Sequence, residues 1–143
     1  MPIRGNPQFI EADVWKRAEY YSCTRKALEY IETSLDRPLR LGEIAAVACM
    51  ERTAFSKSFR HKTGITFHEF VQAYRVSQAA SRMEVSDCSI TEVAFGVGFN
   101  SLDTFERVFK KIAGTTPSRY RLELLYAKGL IASQPNRSRS STK

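Results

Sequence analysis

The chain has 143 residues, enough for one compact domain, and 43% of them are apolar, which excludes disorder throughout. Its 22 Lys and Arg outnumber its 15 Asp and Glu, and the net charge of +7 suits a polyanionic partner, nucleic acid ahead of an acidic membrane surface. No apolar run approaches the ~20 residues that span a bilayer, and no apolar secretory stretch opens the chain, so a cytoplasmic protein is expected.

Taken in order, Met1 to about Gln8 carries Pro2, Gly5 and Pro7 and reads as a loose arm. From about Glu11, Val14, Trp15, Ala18 and Tyr21 recur at helical spacing. The helix either runs on or breaks near Ser22–Thr24 into a segment with Ala27, Leu28, Ile31 and Leu35, which Pro38 ends. Trp15 reads as a packing anchor that covers apolar surface on the first lobe. Leu41, Ile44, Ala45 and Ala48 then outline a short helix, Cys49-Met50 a tight turn, and the residues up to Gly64 a longer helix. Arg52, Lys57, Arg60 and Lys62 cluster on or near that second helix against one acid, Glu51. Thr66 to about Met83 is apolar around much of its circumference (Phe67, Phe70, Val71, Tyr74, Val76, Ala80), which predicts burial on both sides. Arg75 and Arg82 on this segment read as solvated or phosphate-facing.

After a polar connection, Ser89 is the expected N-cap of a segment with Ile90, Val93, Ala94 and Val97. A turn at Gly98-Phe99 follows, then a longer helix to Gly114, and Thr116-Pro117 opens a last helix as N-cap and first helical residue. From Ser133 the composition shifts to Ser, Arg, Asn and Pro, a disordered basic tail.

Two of these stretches are copies of one unit. Glu43, Ile44 and Ala45 match Glu92, Val93 and Ala94 at an offset of 49, whereas Phe55, Phe59 and Gly64 match Phe105, Phe109 and Gly114 at 50. The second copy therefore carries one extra residue near its turn. A short helix, a tight turn and a longer helix make a helix-turn-helix. Gly98 takes the left-handed conformation of such a turn without steric cost; Cys49 cannot do so as cheaply.

At about 100° per residue, Thr53, Ser56, Lys57 and Arg60 share one stripe, with Phe55 and Phe59 opposite. In the second copy Asp103, Glu106, Arg107 and Lys110 oppose Phe105, Val108, Phe109 and Ile112. An aromatic face anchors each helix and a polar face is left for a ligand. Arg and Lys donate to guanine, Ser and Thr to several bases, and Asp or Glu accepts from cytosine.

Residues from about Thr24 to Glu123 resemble the double helix-turn-helix DNA-binding domain of the AraC/XylS family of bacterial transcription regulators. The match rests on Pro38-Leu39, Ile44-Ala45, Phe55, Phe59-Arg60 and Thr63-Gly64 in the first unit. In the second it rests on Ile90-x-x-Val93-Ala94, Gly98-Phe99-x-Ser101, Phe105-x-Arg107-x-Phe109-Lys110, Gly114-x-Thr116-Pro117 and Tyr120-Arg121. The resemblance implies an all-α fold: two helix-turn-helix subdomains joined by a long linker helix, about seven helices in all. The expected division is an arm and partial helix (1–22), a first subdomain (23–64), the linker (65–84), a second subdomain (85–127) and the tail (128–143). Carried over residue by residue, Thr53, Ser56, Lys57, Asp103, Glu106 and Arg107 are expected to read bases. Arg52, Arg60, His61, Lys62, Ser101, Lys110 and Lys111 are expected to meet phosphates.

The expected partners are double-stranded DNA, bound by a monomer, and RNA polymerase, most often for activation. With twenty-odd residues before Thr24, no small-molecule effector domain is expected. Nothing implies a cofactor or metal: His61 and His68 lack partners at ligand spacing. Cys23, Cys49 and Cys88 form no Cys-x-x-Cys pair and read as buried or half-buried thiols of a reducing compartment, the alternative being a redox-sensing thiol, Cys49 first. No catalytic grouping can be argued, so an enzyme is not expected. The rival readings are a helical adaptor for RNA polymerase or another regulator, favoured by the acidic pair Asp103 and Glu106, and nonspecific architectural binding.

Overall fold

The computed structural model describes residues 7–35, 37 and 39–129. These form eight helices: α1 (Ala12–Tyr20), α2 (Ser22–Ser34), α3 (Leu41–Val47), α4 (Arg52–Thr63), α5 (Phe67–Val85), α6 (Ile90–Gly96), α7 (Leu102–Ala113) and α8 (Pro117–Ala127). Most of the expected arm, the residue Pro38 and the tail beyond Gly129 lie outside the described residues. No described helix is long and apolar enough to cross a membrane.

The eighth helix, against about seven expected, comes from a break at Tyr21, which is extended (φ −86°, ψ 134°). No Gly or Pro marks it. The freed carbonyls at the end of α1 are taken by side chains from α2: the Thr24 hydroxyl donates to Ala18 O at 2.5 Å, and Arg25 Nε to Glu19 O at 2.9 Å. This local satisfaction of orphan carbonyls lets the chain turn there. Trp15 on α1 stacks on Phe70 and Tyr74 of α5, with ring centroids 6.1 and 6.3 Å away, and is the anchor its sequence suggests.

The duplication is visible in the packing. Phe55 and Phe59 of α4 and Phe70 of α5 form one ring cluster; Phe105 and Phe109 of α7 and Tyr120 of α8 form its counterpart. The Phe59–Phe70 rings lie 5.3 Å apart at 75°, and Phe109–Tyr120 5.5 Å apart at 71°. Burying each phenyl ring stabilises the fold by about 1.5–3 kcal/mol. The caps repeat as well: Gly64 and Gly114 end α4 and α7 in the left-handed conformation, and Thr66 and Thr116 start α5 and α8. Capping boxes, Thr66 with Glu69 and Ser89 with Glu92, fix the starts of α5 and α6.

Helix α5 holds the lobes together. It buries Phe67, Phe70, Val71, Tyr74, Val76, Ala80 and Met83 around most of its circumference. One continuous core runs from α1 to α7 across it. Arg75 is also buried, and the solvated or phosphate-facing reading does not hold. Its Nη1 donates to Leu35 O at 2.8 Å and to Val97 O at 2.6 Å, joining the end of α2 to the end of α6. Burial pushes this guanidinium below its ordinary value.

Candidate nucleic-acid interface

Both helix-turn-helix turns are built alike. In the first, Cys49 N–H donates to Ala46 O at 2.9 Å and Met50 N–H to Ala45 O at 2.8 Å. In the second, Gly98 N–H donates to Phe95 O at 3.0 Å and Phe99 N–H to Ala94 O at 3.1 Å. Cys49 does adopt the left-handed conformation (φ 61°), matching Gly98 (φ 100°). Cys49 and Cys88 are exposed and Cys23 half-buried, so burial accounts for only one of the three thiols. The extra residue of the second copy is Asn100, exposed between Phe99 and the N-cap Ser101. Glu51 and Ser101 cap α4 and α7 through the N–H groups of Ala54 and Thr104, each at 3.1 Å.

Arg52, Thr53, Lys57, Arg60 and His61 are exposed on α4, as are Asp103, Glu106, Arg107, Lys110 and Lys111 on α7. The remaining expected contacts are more constrained. Ser56 is half-buried at the edge of a cleft between the lobes. Lys62 is turned off the polar face: its Nζ donates to Ser58 Oγ at 3.0 Å and sits 5.3 Å over the Tyr21 ring. The Ser101 hydroxyl is committed to its cap and donates to Thr104 Oγ1 at 3.0 Å.

Helices α4 and α7 share neighbours. Ser56 and Thr104, near the two helix starts, line one hollow. Arg60 and Lys111, near the two ends, both act electrostatically on the Glu69 carboxylate. Ser56 follows Phe55 by one residue and Thr104 precedes Phe105 by one, so at about 100° per residue the cleft meets opposite flanks of equivalent helices. The polar stripes are led by Thr53 and Lys57 on one helix and by Asp103 and Arg107 on the other, all four exposed.

The charge on the two stripes differs. Helix α4 exposes Arg52, Lys57 and Arg60 with no acid between them. On α7, Arg107 and Lys111 border the hollow beside α5, while Asp103 and Glu106 lie outside its lining. Sequence periodicity places Arg107 among those acids; the neighbouring α5 gives it a basic flank with Lys111 instead. His68, Gln72 and Asn100, which line the cleft, carried no sequence signal beyond the change of offset near Asn100.

Fold and paired helices define the class: a double helix-turn-helix domain. The family model for the helix-turn-helix domain matches residues 44–123. Regulatory protein PocR of Salmonella typhimurium is 34% identical over 124 residues, covering 85% of this chain but 41% of PocR, so the chain spans under half of that relative. The Transposon Tn10 TetD protein of Escherichia coli is 31% identical over 117 residues, which is 82% of this chain and 85% of TetD. The DNA-binding domain of AdpA, a global transcriptional factor solved in complex with a target DNA, superposes with a TM-score of 0.69 at 28% identity, covering 73% of this chain and 95% of that one. The chain belongs to the AraC/XylS family of helix-turn-helix DNA-binding transcription regulators.

Proposed function

We propose that this chain is a sequence-specific, double-stranded DNA-binding regulator that inserts α4 and α7 into successive major grooves as a monomer. The observation that supports the reading is the pair of equivalent second helices, each exposing a polar stripe and burying its own phenylalanines. Thr53, Ser56, Lys57 and Arg107 read base edges, with Asp103 and Glu106 accepting from cytosine. Arg52, Arg60, His61, Lys110 and Lys111 hold phosphates; Lys62 and Ser101 add less, because their side chains are already bonded. The first lobe supplies more of the sequence-independent affinity, since its stripe is the more basic.

Successive major grooves on one side of a duplex are roughly 34 Å apart. Lobes fixed closer than this by α5 require a bend costing on the order of 1–6 kcal/mol, which contacts from both lobes offset. Regulation in this reading is activation through contact with RNA polymerase, in the cytoplasm.

A fluorescence-anisotropy titration at several salt concentrations tests the proposal. Neutralising Z phosphates gives a slope near −0.9Z in log affinity against log salt, with a selected duplex favoured over an unrelated one. The exposed Asp103 and Glu106 favour a second reading, the adaptor for RNA polymerase or another regulator. A flat salt response with no preference among duplexes would establish it instead.

A further inference from the structure

Two adjoining hollows, of about 520 and 550 Å³, lie between the lobes. Thr66, His68, Gln72 and Thr104 line both. Ser56 of α4 forms one wall and Arg107 with Lys111 of α7 the other. His68 and Gln72, one turn apart on α5, make the floor. Among the residues lining these hollows the one acid is Glu69. Its carboxylate is occupied in accepting the Thr66 N–H at 3.0 Å. That bond and the Thr66 hydroxyl, then Arg60 and Lys111, hold it below the ordinary carboxylate range despite some desolvation. Arg75, Arg107 and Lys111 outnumber this one carboxylate among the lining residues, so the cleft carries net positive charge.

Resting on the reading that α4 and α7 enter successive major grooves, we propose that this cleft is a third DNA-binding surface. It takes the sugar-phosphate backbone that crosses between the two grooves, with His68 and Gln72 of the linker helix as donors beside Lys111. Between two major grooves on one side of a duplex lies a minor groove bordered by both backbones, and the floor of the cleft faces it. Imidazole, amide and ammonium groups all donate to phosphate oxygens, and such contacts set register without reading sequence. The linker is then a part of the interface as well as a spacer.

The test uses the intact chain and two duplexes of equal length, one selected by the chain from a randomised pool and one of unrelated sequence. His68→Ala combined with Gln72→Ala should weaken both by the same factor, about tenfold. An amide donor neutralises no phosphate, so the loss should appear in affinity rather than in the log–log salt slope. Gln72→Glu should weaken both further by placing a carboxylate against the backbone. His68 is exposed and Gln72 half-buried, and thermal melting checks that the variants fold. Lys57→Ala serves as the comparison. If it weakens the selected duplex while the double variant leaves the affinity for both duplexes unchanged, the cleft proposal is overturned. A loss confined to the selected duplex also overturns it, because backbone contacts carry no sequence. If no variant changes binding to either duplex, the two-groove reading fails and takes this proposal with it.

Discussion

The guanidinium of Arg75 lies where a side chain on Gly98 would begin. A Cβ there would overlap Arg75 Nη1 and the Leu35 carbonyl oxygen, and the backbone of Gly98 is left-handed (φ +100°). Gly98→Ala therefore meets two penalties: strain, and displacement of the charge-assisted bonds that tie α2 to α6. Together these cost about 3 kcal/mol. Gly114→Ala meets the first penalty alone, because φ is +84° but no atom lies within 4 Å of the added carbon. Its cost is about 1 kcal/mol. Urea denaturation of the two variants side by side reads the difference; equal losses would mean that the joint around Arg75 yields.

The contrast between Arg75 and the polar stripes shows what can be read from the chain. Phase within a helix is local, so Phe55 and Phe59 against Lys57, or Phe105 and Phe109 against Arg107, are legible from spacing alone. Caps such as Ser89, Thr116 and Pro117 are legible for the same reason: their partners lie within one turn. Arg75 is not, because its acceptors come from 40 and 22 residues away and only the folded chain brings them together. The break at Tyr21 is half legible: spacing leaves the helix free to run on or to break near Ser22–Thr24, and the side-chain bonds of Thr24 and Arg25 to the end of α1 decide it. At the interface, the flank of α7 that meets α5 is a tertiary fact, and so the hollow that Arg107 and Lys111 line together with α5 could not be read from periodicity.

Cys49 holds the first turn in a conformation that costs an L residue about 1–2 kcal/mol. Glycine removes that strain but adds about 0.5–1 kcal/mol of unfolded-state freedom. Cys49→Gly should therefore stabilise the chain by roughly 0.5–1 kcal/mol, raising Tm by about 2–4 °C. Differential scanning calorimetry under reducing conditions checks this. A lower Tm would show that the exposed Cys49 side chain makes a contact worth more than the strain it carries.

Glu69 closes the capping box of α5, with its carboxyl held below the ordinary range by the Thr66 bonds first. A carboxyl lowered in the folded state contributes stability that is present above its unfolded value and lost as pH falls through its folded value. Gln keeps the capping geometry without the charge. Glu69→Gln should thus be less stable than the parent at neutral pH, and the gap should close as pH drops below the carboxylate range. Thermal melts from neutral pH to about pH 3 follow the gap. A gap that persists at the acid end would assign the loss to hydrogen-bond geometry rather than to charge.

Lys57 and Arg107 occupy equivalent positions, each two residues past its helix's first core phenylalanine, and both are exposed. Their replacement by Ala should each cost roughly 1–3 kcal/mol on the selected duplex and relax preference at one base position. Arg forks to guanine where Lys offers a point charge, so Arg107→Lys should lose part of that preference while Lys57→Arg gains some. Arg60→Ala, at the edge beside Glu69, should weaken all duplexes alike and reduce the salt slope by about 1. Competition binding against a panel with each site position changed in turn separates these outcomes. If Lys57→Ala and Arg107→Ala instead weaken every duplex uniformly, both stripes grip the backbone, and nonspecific architectural binding replaces sequence reading.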